Sequence, residues 1–304
     1  MNAMTPHRLK ELYVITLLPA YFISHGGGPW THMKRDTGNM YGALEASLQD
    51  IPRQLGGTRP KAVLVVSGHW EEDEFTVMSS ARPPMIYDYH GFPAHTYEIR
   101  YDAPGSPAVA ARVRELLQDA GLPVRLDAQR GYDHGTFVPL YAMYPDADVP
   151  VLQLSIKRGY DPDTHIALGR ALAPLRKEGV LIIGSGLSYH NLRQMGPAAH
   201  GASKAFDDWL YQTLSKADPA TRRQRLISWD RAPAARAAHP QEDHLIPLMA
   251  AVGAAGNEKA YRVYHEEAFF GGVVVSSYRF GDAVAATPCE SSSDAARAAA
   301  AATA

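Results

Sequence analysis

The sequence predicts a single α/β domain with a central mixed, largely parallel sheet flanked by helices. Three apolar runs carry this expectation: Ala20–Ser24, Ala62–Ser67 and Val180–Ile183. Val63, Leu64, Val65 and Val66 follow one another without a polar residue, as a strand buried on both faces requires. Each run leads to a histidine. His25 follows directly, His69 comes after Ser67-Gly68, which should break its strand, and His190 lies beyond a Gly184-Ser185-Gly186 turn. Ligand sites of open α/β sheets gather at the carboxyl edge of the strands. These histidines are therefore expected at one edge, around one metal ion.

Composition narrows the chemistry. With 304 residues, 46% of them hydrophobic, the chain can bury a full core. A net charge of −2 argues against nucleic acid or an acidic membrane surface as partner. The sole cysteine, Cys289, excludes internal disulfides and Cys-rich zinc sites and fits a reducing compartment. Any metal must be held by His, Asp or Glu. The apolar stretch Tyr13–Ile23 is too short to span a bilayer and is interrupted by Pro19. Its removal as a leader would also take away the strand before His25. The expectation is a soluble cytoplasmic protein. Residues 1–17 should be poorly ordered, 18–282 should form the catalytic domain, and 283–304 should be a disordered Ser/Ala-rich tail.

The elements follow in order. His25-Gly26-Gly27-Gly28-Pro29 is a permissive loop, and Met40–Leu48 a short helix. After the Ala62–Ser67 strand, Phe75–Ser79 reads as another. Pro83–Tyr101 is a loop rich in aromatics, either a lid over a flat substrate or a segment pinned to the core by its rings. Ser106-Pro107 opens a helix with the stripe Val109, Val113, Leu116 and Leu117, ended by Gly121. Thr136–Met143 is a short helix and Val149–Ser155 a core strand. Asp161-Pro162 opens a helix with Ile166, Leu168, Leu172 and Leu175 on its inner face. Ala202–Lys216 is helical, and a further helix runs from His239 to about Ala251. Val263–Glu267 and Gly272–Arg279 are strands of an antiparallel extension; Arg222–Ala238 has no clear pattern. The scattered methionines read as core filler.

Five of the thirteen histidines sit beside small residues or at helix starts: His25, His69, His134, His190 and His244. One such histidine is more often a structural hydrogen-bonder, but several sharing one structural position are hard to explain by packing. Imidazole and carboxylate donors suit iron(II), zinc or manganese. Open positions on such an ion suit a catechol with dioxygen, or a water as in zinc hydrolases. Glu71 and Glu72 read as surface or supporting residues. Glu242 and Asp243 are better placed to fix the tautomer of His244 or complete its shell.

The motifs SHGGGPW, SGHW, PGSP, GYDHGTFVPL, SGLSYHNLR and HPQEDHLIPLMAAVGAAG occur in this order. Together they resemble the LigB-type (class III) extradiol ring-cleavage dioxygenases, most closely the DOPA extradiol dioxygenase-like branch. The resemblance spans nearly all of residues 20–280. It implies one iron(II) at the sheet edge, with zinc(II) in some bacterial members, and opening of a catecholic ring by dioxygen next to its hydroxyls. It assigns His25 and His69 as metal ligands, and His244 as a ligand where LigB proper supplies a glutamate. His190 matches a position that is a base in some members and a metal neighbour in others. His134 matches a histidine of the substrate pocket. An all-histidine shell is more positive by one charge, which favours zinc in purified protein.

On this reading the metal ligands are His25, His69, His190 and His244, and the acid–base residues His134 and His190. His239 is left to cap its helix. Tyr87, Tyr89 or Phe92 would stack on the ring, and Arg82, Arg100, Arg130 or Arg193 would pair with any substrate carboxylate. The partners are a small aromatic diol and dioxygen. Oligomeric state, a homo-oligomer included, is left open, as is the choice among DOPA, a protocatechuate-like acid, homoprotocatechuate and a bicyclic diol. Two rival readings remain: a zinc-dependent hydrolase or amidase on the same scaffold, and a non-catalytic metal- or ligand-binding homologue. A phosphate cradle at Gly26–Gly28 lacks the GK[ST] that should follow, and Gly184-Ser185-Gly186 lacks the full G-x-S-x-G pattern.

Overall fold

The computed structural model describes residues 17–38 and 40–284. Its strands are β1 (Ala20–Ser24), β2 (Ala62–Glu72), β3 (Phe75–Met78), β4 (Val124–Asp127), β5 (Val151–Lys157), β6 (Val180–Gly186), β7 (Ala260–Phe269) and β8 (Val273–Phe280). They form one eight-stranded sheet in the order β4-β3-β5-β2-β6-β1-β8-β7. The centre is parallel: β2 pairs with β5 and β6, and β6 pairs with β1. β8 runs antiparallel to β1 and β7 antiparallel to β8, the extension expected from the sequence. The short edge strand β4 has no counterpart in the sequence reading. It is half-buried, and its four residues are too few to show a period.

Every residue of β1 and β6 is buried, because helices cover both faces of the sheet. Successive residues of β6 show how. A side chain on Gly184 would strike the Pro247 carbonyl, and one on Gly186 the His244 carbonyl. Ser185 points to the opposite face and donates to the Gly135 carbonyl at 2.5 Å. The helix Ile246–Ala255 therefore covers one face, and the helix His134–Met143 the other. Gly184-Ser185-Gly186 is thus strand and not turn. Its glycines let a helix entry approach the sheet.

Two further expectations shift in ways that matter for the site. β2 does not end at Ser67-Gly68. Its register with β5 jumps from Ser67↔Ser155 to Glu71↔Ile156, so Gly68, His69 and Trp70 form a bulge inside a longer strand. The helix expected from His239 begins at Ile246. Pro247 lacks an amide proton and suits a first turn, which leaves His239–Leu245 as an irregular approach.

Elsewhere the helix expected at Met40–Leu48 runs over Gly42–Gln54, burying Leu44, Leu48 and Ile51. Ser106 caps Pro107–Asp119, where Ala110, Val113 and Leu117 are buried, and Asp161 caps Pro162–Leu172. His200–Tyr211 is helical and Gln212–Lys216 continues it as a π-helical turn. The unplaced Arg222–Ala238 region overlaps a helix, Pro219–Ile227, and contains two short helical turns, Trp229–Arg231 and Ala235–Ala238. The expectations for 1–17 and 283–304, Cys289 included, fall outside the described residues except at 17, 283 and 284. Val284 donates its amide to the Gln54 carbonyl at 2.9 Å, so the chain is still tied to the fold there. No helix among the described residues is long and apolar enough to cross a membrane.

Candidate metal centre

Each site histidine is aimed by its backbone. The His25 amide donates to the Gly186 carbonyl at 3.1 Å, and its carbonyl accepts from Trp30 Nε1 at 2.8 Å. Gly26 has a φ of +84°, and a side chain there would run into the Trp30 indole, so this turn requires glycine. His69 stands on the bulge of β2, its amide on Ser67 Oγ at 3.2 Å. Ser67 Oγ in turn donates to buried Asp133, which Arg130 and Gln153 also hold, at 2.7 and 2.6 Å. His134 opens its helix and donates its amide to Asp88 Oδ1 at 2.9 Å. The His244 carbonyl accepts the Leu187 amide at 3.1 Å, and the His190 amide donates to the Ala238 carbonyl at 2.9 Å.

These five histidines line one cavity of about 650 Å³ at the carboxyl edge of the sheet. Ring centroids are 4.9 Å apart for His25–His69, 5.1 Å for His25–His244 and 4.6 Å for His69–His244. His134 lies 4.0 Å from His69 and 5.4 Å from His25. His190 stacks on His244 at 3.4 Å. Ligand atoms of His25, His69 and His134 fall within 4.8 Å of one another, as do those of His190, Asp243 and His244.

The residues fit a divalent ion. His25 is 1% exposed, yet neither ring nitrogen has a hydrogen-bond partner, an arrangement that is costly without a ligand. His244 Nδ1 meets Asp243 Oδ2 at 2.6 Å, and His69 Nδ1 faces Asp88 Oδ2 at 3.3 Å. A carboxylate only accepts, so His244 Nδ1 carries the proton and its Nε2 holds a lone pair, and the Asp88 carboxylate facing His69 Nδ1 favours the same tautomer there, with a lone pair on the His69 Nε2. Those Nε2 atoms face each other across 3.1 Å. Two nitrogens each about 2.1 Å from one ion lie roughly 3.0–3.4 Å apart, so this spacing is that of two ligands. Burial, with the neighbouring histidines, holds His25, His69 and His244 well below the usual imidazole range. They are neutral near pH 7, as metal ligands must be.

Supporting charges divide between two carboxyls. Burial alone would raise Asp88, but its hydrogen bonds and ion pair with His134 outweigh that and hold it below the usual carboxylate range. Burial raises Asp243, despite the opposing influence of His190. Asp88 escaped the sequence reading. It lies between tyrosines in a loop, and its orienting role depends on a histidine 46 positions away. Asp243 was anticipated as a partner of His244. Glu242 instead pairs with Arg236 at 2.8 Å, and Glu72 with Arg125 at 2.8 Å.

Several candidates go elsewhere. His239 does not cap a helix: its Nε2 donates to the Ser188 carbonyl at 3.0 Å, and its ring is buried beside Phe206 and Trp229. The aromatic loop is braced partly by its own backbone and partly by the core, where Tyr101 donates to the Tyr144 carbonyl at 3.1 Å. Tyr89 donates to the Thr96 carbonyl at 2.5 Å, Tyr87 to the Ile99 carbonyl at 2.7 Å, and Phe92 packs over Gly28. Tyr89 and Phe92 line the cavity; Tyr87 does not. Nor does any of the four arginines. Arg130 pairs with Asp133 over the Trp70 ring, and Arg100 with Asp102. Met33, Met40 and Met195, read as core filler, are cavity wall.

A largely parallel sheet whose edge gathers neutral imidazoles from a strand end, a strand bulge and a helix approach into one cavity has the donor set of a metal-binding protein. The family model described as the catalytic LigB subunit of aromatic ring-opening dioxygenase matches residues 19–281. The chain belongs to this LigB family of ring-opening dioxygenases. It is 42% identical over 238 residues to 4,5-DOPA dioxygenase extradiol of Beta vulgaris, covering 77% of this chain and 87% of the relative. It is 34% identical over 285 residues to the protein of the same name from Escherichia coli K12, covering 91% and 100%. The crystal structure of uncharacterized protein JW3007 from Escherichia coli K12 superposes with a TM-score of 0.67 at 31% identity, covering 87% of this chain and 100% of that one.

Proposed function

We propose that this dioxygenase opens the ring of a catechol next to its diol, at one ion held by His25, His69 and His244. A catechol is the class of compound in its relatives' names. The observation that carries the reading is the convergence of neutral imidazoles on one wall of a cavity otherwise suited to a flat ring. A divalent ion bound there supplies open positions at which a diol and dioxygen meet, and we assign iron(II) for turnover, with zinc(II) compatible with the same donors.

The remaining histidines handle protons. Burial lowers the pKa of His190, so it is neutral near pH 7 and able to take a hydroxyl proton at Nε2, with Nδ1 on the Asp243 side. Asp88 fixes His134 through Nδ1 at 2.9 Å, which leaves Nε2 to the cavity as a hydrogen-bond acceptor for the diol. Tyr89 spends its hydroxyl on Thr96 and offers the substrate its ring, as Phe92 does. The near absence of cysteine supports a cytoplasmic setting.

Oxygen uptake by iron(II)-loaded protein across a catechol panel tests the reading, together with the visible absorbance of ring-opened semialdehydes. Uptake matched mole for mole by product is the expected result. Ester or amide hydrolysis by zinc-loaded protein, with no oxygen uptake under iron, replaces it with the hydrolase reading. Catechol binding without any turnover replaces it with a binding protein.

A further inference from the structure

We propose that the catechol taken by this site carries a neutral, apolar substituent long enough to reach the cavity mouth, and not a carboxylate. The inference rests on the dioxygenase reading for the diol, and on the cavity wall for the substituent.

The cavity, at about 650 Å³, is sized for a ligand well beyond a single ring. Away from the histidines its wall is mostly apolar and includes Met33, Met40, Leu192, Met195, Phe269 and Phe270, beside the polar-tipped Thr37, Tyr41 and Tyr189. Among the described residues the large apolar side chains that stand exposed are Leu17, Met40 and Leu192, at 40%, 42% and 73%. Met40 and Leu192 both belong to this cavity. A single exposed apolar side chain is ordinary. Here two of them continue an apolar wall that leads inward to the metal ligands. A substituent lying along that wall removes water from itself and from Met40 and Leu192 together.

Charge points the same way. Among the described residues that line the cavity there is no lysine or arginine, and its two carboxylates, Asp88 and Asp243, are engaged with the histidines. Lys34, near the wall in sequence, is committed to Glu45 at 2.6 Å. A substrate carboxylate lying along this wall would lose its water and find no cationic side chain there to pair with. The methionines add tolerance: an unbranched, polarizable wall accommodates substituents of different shape.

The test compares 4-alkylcatechols from methyl to hexyl with dihydroxyphenyl-alkanoates of matched length, using the iron-loaded full chain. Oxygen uptake gives kcat/KM, and calorimetry on the anaerobic protein gives affinity. Both should rise about fourfold for each methylene buried. Matched carboxylates should be at least about tenfold poorer. Equal or better performance by the carboxylates, or no dependence on chain length, overturns the proposal while ring cleavage itself stands. Alkylcatechols that bind with this dependence but consume no oxygen uphold the ligand class and remove the dioxygenase reading. Leu192→Lys and Met40→Lys, both at exposed positions, should shift preference about tenfold toward the carboxylates. An unchanged preference in both variants overturns the part assigned to the rim.

Discussion

The imidazole of His190 lies flat on that of His244, with ring centroids 3.4 Å apart and 19° between the planes. A ring nitrogen donates its lone pair in the plane of the ring. Two nearly parallel imidazoles therefore send their lone pairs along neighbouring lines, and do not meet at one ion. His244 already faces His69 through Nε2. We therefore separate the two roles that the sequence left joined in His190, and assign it proton transfer alone. His244→Ala should lose bound metal and activity together. His190→Gln should keep about one metal per chain by elemental analysis, while kcat falls about 10²–10⁴-fold. Loss of metal from His190→Gln would return that residue to the ligand set.

Asp88 serves two histidines with one carboxylate. Oδ1 accepts from the His134 ring and amide, both at 2.9 Å, and Oδ2 faces His69 Nδ1 at 3.3 Å. In Asp88→Asn one oxygen becomes an NH₂ group, which cannot accept a proton from a ring. One of the two imidazoles must then change tautomer or turn. Metal affinity measured by chelator competition should fall about 10–100-fold, with the thermal midpoint of the metal-free protein nearly unchanged because the side chains have the same shape. Unaltered affinity would mean that the carboxylate does not orient His69.

Gly135 lies in the first turn of the helix His134–Met143. Alanine is favoured over glycine in a helix by about 1 kcal/mol, so local propensity welcomes Gly135→Ala. Geometry does not: the added methyl would stand 2.7 Å from His69 Cδ2 and 2.9 Å from Ser67 Oγ. The His69 ring must move. Weaker metal binding and lower kcat/KM, with helix content retained by circular dichroism, are the expected signs. A more stable variant with full metal affinity would show that His69 has room to spare.

What the sequence revealed follows the range of the forces involved. The β-branched run before His69 and the small residues around His25 are local signals, and the strand core and sheet edge were legible from them. The bulge that keeps β2 going past His69 is set by the register with Ser155 and Ile156 on another strand, so no local pattern marks it. Asp88 and the cavity methionines were missed for the same reason. Met33, Met40 and Met195 share no period, and only the fold brings them to one wall. The arginines show the converse: charge alone nominated Arg130, while buried Asp133 had already claimed it.

Acid should weaken the fold through buried histidines outside the proposed ligand set. His165 is buried in the helix Pro162–Leu172, its Nδ1–H on the Asp161 carbonyl at 2.7 Å and its Nε2 accepting the Lys157 amide at 3.0 Å. Burial lowers its pKa to about 4, and burial lowers that of His239 to about 3. In the unfolded chain both return to about 6.5. Between the folded and unfolded values the unfolded chain binds a proton that the folded chain refuses, so stability rises with pH in that window. The contribution is complete above about pH 6.5 and is lost as the pH falls toward about 4 for His165 and about 3 for His239. Each such histidine steepens the dependence by up to about 1.4 kcal/mol per pH unit. Urea unfolding of chelator-treated protein between about pH 7.5 and 4.5 isolates this effect from metal release. His165→Gln retains a donor and an acceptor but does not titrate, so its stability should fall less steeply with acid than that of the unaltered chain. Parallel slopes would place the acid sensitivity elsewhere.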